Sequence, residues 1–156
     1  MLVDEKSTVN SFADEREAIE TRLVSLFDTN KVPVQYANIN FLRKGTETIP
    51  SPYEGPSWIR LSIRGSLSSR TEVTRTFNEM NGEIVFSIFT RTSAGSNIGR
   101  QIADELFDIF NTTTFNGITT SSSTLFELPP NNGWYQLNLS VPYQWYRCLE
   151  TRCSDK

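Results

Sequence analysis

The stretch from Ser57 to Gly65 reads SWIRLSIRG, and it decides the fold class of this chain. Successive side chains of a β-strand point to opposite faces, so strict alternation of apolar and polar residues predicts a half-buried strand. One face of this stretch is apolar and consists of Ile59, Leu61 and Ile63. The other face consists of Trp58, Arg60, Ser62 and Arg64. A sheet with one face in the core is therefore expected.

A second strand is predicted at residues 82–91, which read GEIVFSIFTR. Its apolar residues fall on both faces, with Ile84, Phe86 and Ile88 on one and Val85 and Phe89 on the other. Such a strand is usually covered on both sides. The dipeptide Asn81-Gly82 just before it is a strong tight-turn signal. Residues 71–77 (TEVTRTF) are rich in β-branched side chains and are the predicted return strand, after a loop at residues 65–70.

Two amphipathic helices flank these strands. The first is predicted from Ser11, a good N-cap, to about residue 28, with Asp14 and Glu15 in the first turn, where carboxylates suit the helix dipole. The second follows a cap at Ser93 or Ser96. Its apolar stripe consists of Ile98, Ile102, Leu106, Ile109 and Phe110. Most carboxylates of both helices are expected on solvated faces.

The remaining segments are less regular. Residues 32–41 read as a short extended piece, and residues 43–57, with three prolines and two glycines, as an irregular connector. Residues 111–133 are rich in Thr, Ser, Asn and Pro, with a short strand near 117–122. A last strand begins at Trp134 and turns Tyr135 and Leu137 to the same face. Its Pro142 has no N–H, which predicts a sheet edge or a bulge at that position.

This order of elements predicts an α+β fold: a mainly antiparallel mixed sheet with two helices packed on one face, plus a protruding β-hairpin. The 156 residues fit a single domain over 1–156. Residues 1–10 and 148–156 are expected to be flexible tails. No apolar run approaches the length of a membrane span, and no export signal is visible, so no membrane association is expected.

The residue types that the sequence lacks exclude several kinds of active site and metal site. The sequence contains no histidine, which removes the commonest general base and metal ligand near neutral pH. Its two cysteines, Cys148 and Cys153, are too few for a four-cysteine metal site and are expected to be reduced. The sequence contains neither G-x-x-x-x-G-K-[ST] nor G-x-G-x-x-G, the glycine motifs that bind phosphate groups. We therefore expect no enzymatic activity, no metal and no cofactor.

The sheet face turned away from the helices is the candidate functional surface. Aromatic residues and arginines are enriched at protein interfaces, and both types alternate on this face. The interface candidates are Trp58, Arg60, Arg64, Arg70, Arg75, Val85, Phe89 and Arg91. Two other interpretations remain: a folded-back loop or the N-terminal tail covers the face, or its arginines are only solvated or line a lumen.

The charges are segregated along the chain. Residues 1–30 carry three basic and seven acidic side chains, and residues 101–127 carry no basic and four acidic ones. Residues 57–100 carry six basic and three acidic side chains. Identical subunits could thus meet head to tail, with arginines of one against helices of the next, and a head-to-tail contact whose rotation closes makes a ring. The arginines could also bind phosphates, but the sequence pI is about 5.0 and no aromatic RNA-recognition signature is present.

Five segments in a characteristic order point to a family. They are FADEREAIETRLVSLF, VPVQYANINF, WIRLSIRG, GEIVFSIFTRTSAG running into IADELFDIF, and GWYQLNLSVPYQW, and together they span roughly residues 11–147. With them the chain resembles the tail terminator (tail-completion) proteins of long-tailed bacteriophages, also called minor tail proteins. The match places Trp58, Arg60 and Arg64 on the family's arginine strand, and Trp134, Tyr135 and Gln136 on its closing strand. The Pro-rich connector and the C-terminal extension with two cysteines depart from the pattern.

The resemblance implies a non-enzymatic subunit of a homo-hexameric ring in the virion tail or neck, assembled in the host cytoplasm. The ring caps the tail tube protein, stops its polymerisation and offers a docking surface for head-completion proteins. Genomic DNA passes through the lumen without sequence readout. Two other interpretations stay open: another phage neck or head-completion connector, and a small-ligand-binding α+β module.

Overall fold

The computed structural model describes residues 8–29, 32–36, 41–43, 47–49, 57–70, 77–92, 97–131 and 133–148. Their elements in chain order are α1 (Phe12–Leu26), β1 (Val34–Gln35), β2 (Phe41–Arg43), β3 (Glu47–Ile49), β4 (Ser57–Arg70), β5 (Phe77–Arg91), α2 (Asn97–Phe110), β6 (Thr114–Phe115), β7 (Ile118–Thr120), β8 (Thr124–Asn131) and β9 (Trp134–Cys148). The fold is α+β, as predicted.

Seven strands form one mixed sheet in the order β1-β4-β5-β9-β7-β6, and β8 also pairs with β9. Only β1 and β4 run parallel among the described strand pairs; the other pairs are antiparallel. β9 is the centre of the sheet because it pairs with β5 along its whole length and with β7 and β8 on its other side. β2 and β3 form a separate two-stranded sheet, in which β3 lies within the predicted irregular connector and β2 only reaches its first residue.

Both helices pack on one face of this sheet, as the alternation in β4 predicted. Ser11 caps α1 as expected, since its hydroxyl accepts a hydrogen bond from the Asp14 amide at 3.0 Å. The core joins apolar residues of both helices to one face of three long strands. Its main members are Ile19 and Leu23 of α1, Ile102, Leu106 and Phe110 of α2, Ile59 and Leu61 of β4, Ile84, Phe86 and Ile88 of β5, and Leu137, Leu139, Val141, Tyr143 and Trp145 of β9.

The predicted turn at Asn81-Gly82 is wrong. Both residues lie inside β5, and β5 itself is the return strand that pairs with β4. The expected loop at residues 65–70 is the second half of β4, after a register shift between Arg64 and Leu67. Asn-Gly occurs here for another reason: a Cβ at Gly82 would lie 2.5 Å from the hydroxyl of Tyr143. Glycine in a strand often marks such a close approach.

The prediction for Pro142 is also wrong, because β9 is a central strand and its pairing with β5 passes Pro142 without a shift. The Pro142 carbonyl accepts a hydrogen bond from the Ser121 amide at 2.9 Å. The nitrogen and carbonyl of one strand residue point to the same side. The missing N–H therefore falls where β7 ends and β8 begins. β8 was itself missed, since within residues 111–133 a strand was predicted only near 117–122.

The ends of the described chain are more ordered than predicted. Val9 is buried, and its amide donates to the carbonyl of Asn116 at 2.9 Å. Asn10 accepts a hydrogen bond from the Cys148 amide at 2.7 Å. Cys148 is disulfide-bonded, which corrects the prediction of reduced thiols. Neither described helix is long and apolar enough to cross a membrane.

Candidate interaction surface

The face of the sheet opposite the helices is here called the helix-free face. The pairing registers place its residues in rows that run across β4, β5, β9 and β8. Trp58, Phe89, Gln136 and Leu128 form one row, and Arg60, Ser87, Asn138 and Phe126 form the next. The rows that follow are Ser62, Val85, Ser140 and Thr124, and then Arg64, Glu83 and Pro142.

An aromatic cluster lies at one end of this face. The rings of Trp58 and Phe89 stack with centroids 4.2 Å apart and planes 13° apart. Trp134 meets Trp58 edge-on at 6.2 Å. The cluster forms because cross-strand pairing puts Trp58 directly beside Phe89. Such offset and edge-to-face pairs are worth about 0.5–1.5 kcal/mol beyond the area they bury.

Two arginines lie over the cluster. The guanidinium carbon of Arg60 lies 5.5 Å from the Trp58 ring and 5.2 Å from the Phe89 ring. That of Arg91 lies 4.0 Å from the Trp134 ring. These are cation–π distances. The two guanidinium groups and the three aromatic rings therefore pack together as one cluster.

The expectation of an uncovered apolar patch needs correction. Trp58, Phe89 and Val85 do lie on the helix-free face, but only 3%, 8% and 6% of their surfaces are exposed in the single chain. The arginine and tryptophan side chains packed on the rings account for part of this burial. The exposed groups that a partner could touch on the described part of this face instead include Arg60, Arg64 and Phe126.

The exposed arginines have weak partners among the residues described here. Arg60 donates to the Gln35 side chain at 3.5 Å and makes no ion pair with a described carboxylate. Arg64 lies 4.0 Å from a Glu83 oxygen, at the limit of an ion pair. The Glu83 carboxylate also accepts a hydrogen bond from Ser140. Arg60 thus has no carboxylate partner among the described residues, and Arg64 has only a distant one.

Two of the predicted interface residues cannot be placed on this face, and two residues that were not predicted lie on it. Arg70 belongs to β4 by its backbone, but its side chain and all of Arg75 lie outside the described residues. Trp134 and Phe126 were not predicted for this surface. The alternation that turns Tyr135 and Leu137 inward also turns Trp134 outward, so the sequence held that signal. Phe126 could not be found without β8.

On the opposite side of the molecule α2 carries a second surface, here called the α2 acidic patch: Asp104, Glu105, Phe107 and Asp108. All four side chains are exposed, with Phe107 at 40%. Asp104, Phe107 and Asp108 are neighbours on the helix because they are three and four residues apart. Within the described chain, none of the three carboxylates makes an ion pair.

The best-defined buried polar contact stabilises the fold and lies outside the candidate interaction surface. Glu15 of α1 is buried, although most helix carboxylates were predicted on solvated faces. Its carboxylate accepts hydrogen bonds from the Tyr143 hydroxyl and, at 3.0 Å, from the Trp145 indole N–H. Burial raises the pKa of Tyr143 well above its ordinary range, and the hydrogen bond and charge of Glu15 raise it further. The site ties α1 to β9.

Two grooves lie along α1. One of about 450 Å³ is bordered by Asp14, Glu17, Arg22 and Phe115, among others. The other, of about 460 Å³, runs past Glu20, Val24 and Tyr36. Neither brings together groups arranged for catalysis. No cluster of three or more potential metal ligands occurs among the residues that the structure describes.

Comparisons with known proteins bear on the fold. No family model and no curated protein matches the chain. Solved structures do match it. One of them superposes with a TM-score of 0.58 at 18% sequence identity, over 87% of this chain and 96% of the other. At that identity the likeness shows a shared α+β fold and nothing about activity.

Proposed function

We propose that this chain is a structural assembly protein of the tail terminator type: a subunit of a hexameric ring that caps a phage tail tube. The observation that carries the proposal is the helix-free face, where Arg60 lies over an aromatic cluster and both Arg60 and Arg64 are exposed. Arginine and aromatic residues dominate the energetics of protein contacts. A surface of this kind suits recognition of another protein better than turnover of a small molecule.

Further support comes from the segment resemblance and from the fold. The segments that carry the resemblance contain α1, β1, β4, β5, α2 and β9. In the proposed role the ring ends tube polymerisation, presents its free side to head-completion proteins, and lets DNA pass without reading its sequence. The protein then acts in the virion, after assembly in the host cytoplasm, without catalysis, metal or cofactor.

The test uses the purified chain together with the tail tube protein encoded in the same genome. Negative-stain images and native mass spectrometry should show rings of six copies, alone or seated on one end of the tubes. Tubes assembled with the chain should have a defined end and stop growing. A chain that neither forms rings nor binds tubes would contradict the proposal.

The same experiment separates the alternatives. Cross-linking to portal-side proteins with no binding to tubes would indicate a head-completion connector. A small metabolite that raised the melting temperature of the chain would indicate a ligand-binding module instead.

A further inference from the structure

The two exposed charged surfaces are opposite in sign, and each carries charges with no close ion-pair partner among the described residues. On the helix-free face, Arg60 has no ion pair with a described carboxylate, and the pair between Arg64 and Glu83 is 4.0 Å long. In the α2 acidic patch, no ion pair reaches Asp104 or Asp108 from any described residue. Some other exposed charges of this domain do pair, as Arg16 does with Glu20 at 2.6 Å and Arg100 with Glu127 at 3.4 Å.

The two surfaces cannot meet within one subunit. α2 packs on one face of the sheet, through Ile102 and Leu106, and the helix-free face is the other side of the same sheet. A contact between them must therefore join two copies of the chain. Such a contact is heterologous, because different patches meet, and repeated copies close into a ring when the rotation allows it.

We propose that neighbouring copies of this chain contact each other head to tail, with Arg60 and Arg64 of one copy against Asp104 and Asp108 of the next. This inference rests on the proposed ring function and names the surfaces that build the ring.

Apolar groups support the same pairing. Each surface also carries an exposed aromatic side chain: Phe126, 52% exposed and three strands away from Arg60 on the helix-free face, and Phe107, 40% exposed, in the α2 acidic patch. Phe126 shares its cross-strand row with Arg60. Exposed ion pairs add only about 0–1 kcal/mol each, so burial of these rings supplies affinity while the charges set orientation.

The test is a reciprocal charge exchange. Variant A carries Arg60→Glu and Arg64→Glu, and variant B carries Asp104→Lys and Asp108→Lys. Alone, each variant would place like charges at every contact, so its assembled fraction should fall at least about tenfold below wild type. In a 1:1 mixture A and B can alternate around a ring, and every contact then joins opposite charges. The mixture should regain assembly, with equal numbers of A and B in each ring by native mass spectrometry.

Matched controls keep the net charge change but move it elsewhere. Arg16→Glu with Arg147→Glu matches variant A, and Glu17→Lys with Asp28→Lys matches variant B. Both controls should assemble as wild type does. Circular dichroism and melting temperature check that every variant is folded.

The possible results distinguish an error in the assigned contact surfaces from an error in the proposed ring function. Variants A and B that assemble like wild type, or a mixture that stays unassembled, would overturn the assigned surfaces while the ring function stands. Controls that fail like A and B would also overturn them, because net charge alone would then explain the loss. If wild type forms rings only on tail tubes, the variants are compared on tubes. Wild type that assembles in neither setting overturns the proposed function itself.

Discussion

Gly82 lies in the middle of β5, where the Tyr143 ring of β9 crosses it on the way to Glu15 of α1. A Cβ at this position would lie 2.5 Å from the Tyr143 hydroxyl oxygen and 2.6 Å from the ring carbon that bears it. The backbone carbonyl of Arg64 would be 3.0 Å away. Glycine is therefore required here for space rather than for a turn.

Substituting Gly82→Ala should lower the free energy of unfolding by about 1–3 kcal/mol, the usual cost of overpacking a core. In a Tyr143→Ala background the same substitution should cost clearly less, because the ring that it strikes is gone. Denaturant unfolding of the two single variants and the double variant measures this coupling. Purely additive losses would contradict the account of Gly82.

The hydrogen bond from Tyr143 to the buried Glu15 carboxylate should stabilise the fold measurably. Removing it with Tyr143→Phe is expected to lower the free energy of unfolding by about 1.5–3 kcal/mol, the range for hydrogen bonds to charged groups. Tyr146→Phe on the same strand is the matched control: Tyr146 is 47% exposed, and its loss should stay within about 0.5 kcal/mol. Equal losses in both variants would argue against a special role for Tyr143.

The raised pKa of Tyr143 also predicts a pH dependence. The folded state holds the phenol proton above the pH at which an unfolded tyrosine, with a pKa of about 10, releases it. Below about pH 10 the contribution of this group is constant. Above it, stability falls as pH rises, by up to about 1.4 kcal/mol per pH unit for this one proton.

Unfolding curves recorded from about pH 8 to about pH 11 should show a shallower alkaline decline for Tyr143→Phe than for wild type. Tyr36 and Tyr135 also have raised pKa values, but they titrate in both proteins and leave the difference unchanged. Parallel curves would mean that Tyr143 does not cause the decline.

At the scale of elements, α1 and α2 are joined by Arg22. Its Nε and Nη2 donate to the Ile109 carbonyl at 3.0 and 2.7 Å, in the last turn of α2. The guanidinium carbon also lies 4.9 Å from the Phe115 ring. Burial lowers the pKa of Arg22. A cation near a helix C-terminus is favourable for the helix dipole as well.

Arg22→Lys keeps the charge but loses the planar fork that makes both hydrogen bonds. It should lower the free energy of unfolding by about 1–3 kcal/mol. Arg16→Lys, the same change on the exposed face of α1, should cost no more than about 0.5 kcal/mol. Thermal or denaturant unfolding measures both variants. A similar effect at the two positions would contradict the bridging role of Arg22.

Sequence reasoning found elements where the signal was local. The cap at Ser11, the alternation in β4 and the stripe of α2 are each written within a few consecutive residues. It failed where the deciding partner is distant in sequence. Glu15 looked like a solvated first-turn carboxylate because its donors lie on β9, and Asn81-Gly82 looked like a turn because Tyr143 is needed to explain the glycine.

The candidate surface, like the elements, could be predicted from the sequence only where the signal was local. Alternation alone placed Trp58, Arg60 and Arg64 on the helix-free face. It could not tell that pairing with β5 would stack Trp58 on Phe89 and leave both buried in a single chain. That outcome depends on register, which a strand's own pattern does not specify.

At the scale of the whole molecule, the charge distribution predicts how assembly depends on salt. Contacts between the helix-free face and the α2 acidic patch should weaken as ionic strength rises, because the screening length shrinks from about 10 Å at 0.1 M to about 3 Å at 1 M. Variant A mixed with variant B should show the same dependence as wild type. Ring populations measured across a salt series would check this, and assembly that strengthened with salt would point to apolar contacts alone.

The central position of β9 has a consequence for how this polypeptide matures. β5 forms its longest pairing with β9, which the ribosome makes about fifty residues later. Until β9 is made, one edge of the apolar strand β5 has no partner strand. Closure of the sheet is therefore a late event in biosynthesis. Nascent chains stalled before Trp134 should be protease-sensitive and should depend on chaperones.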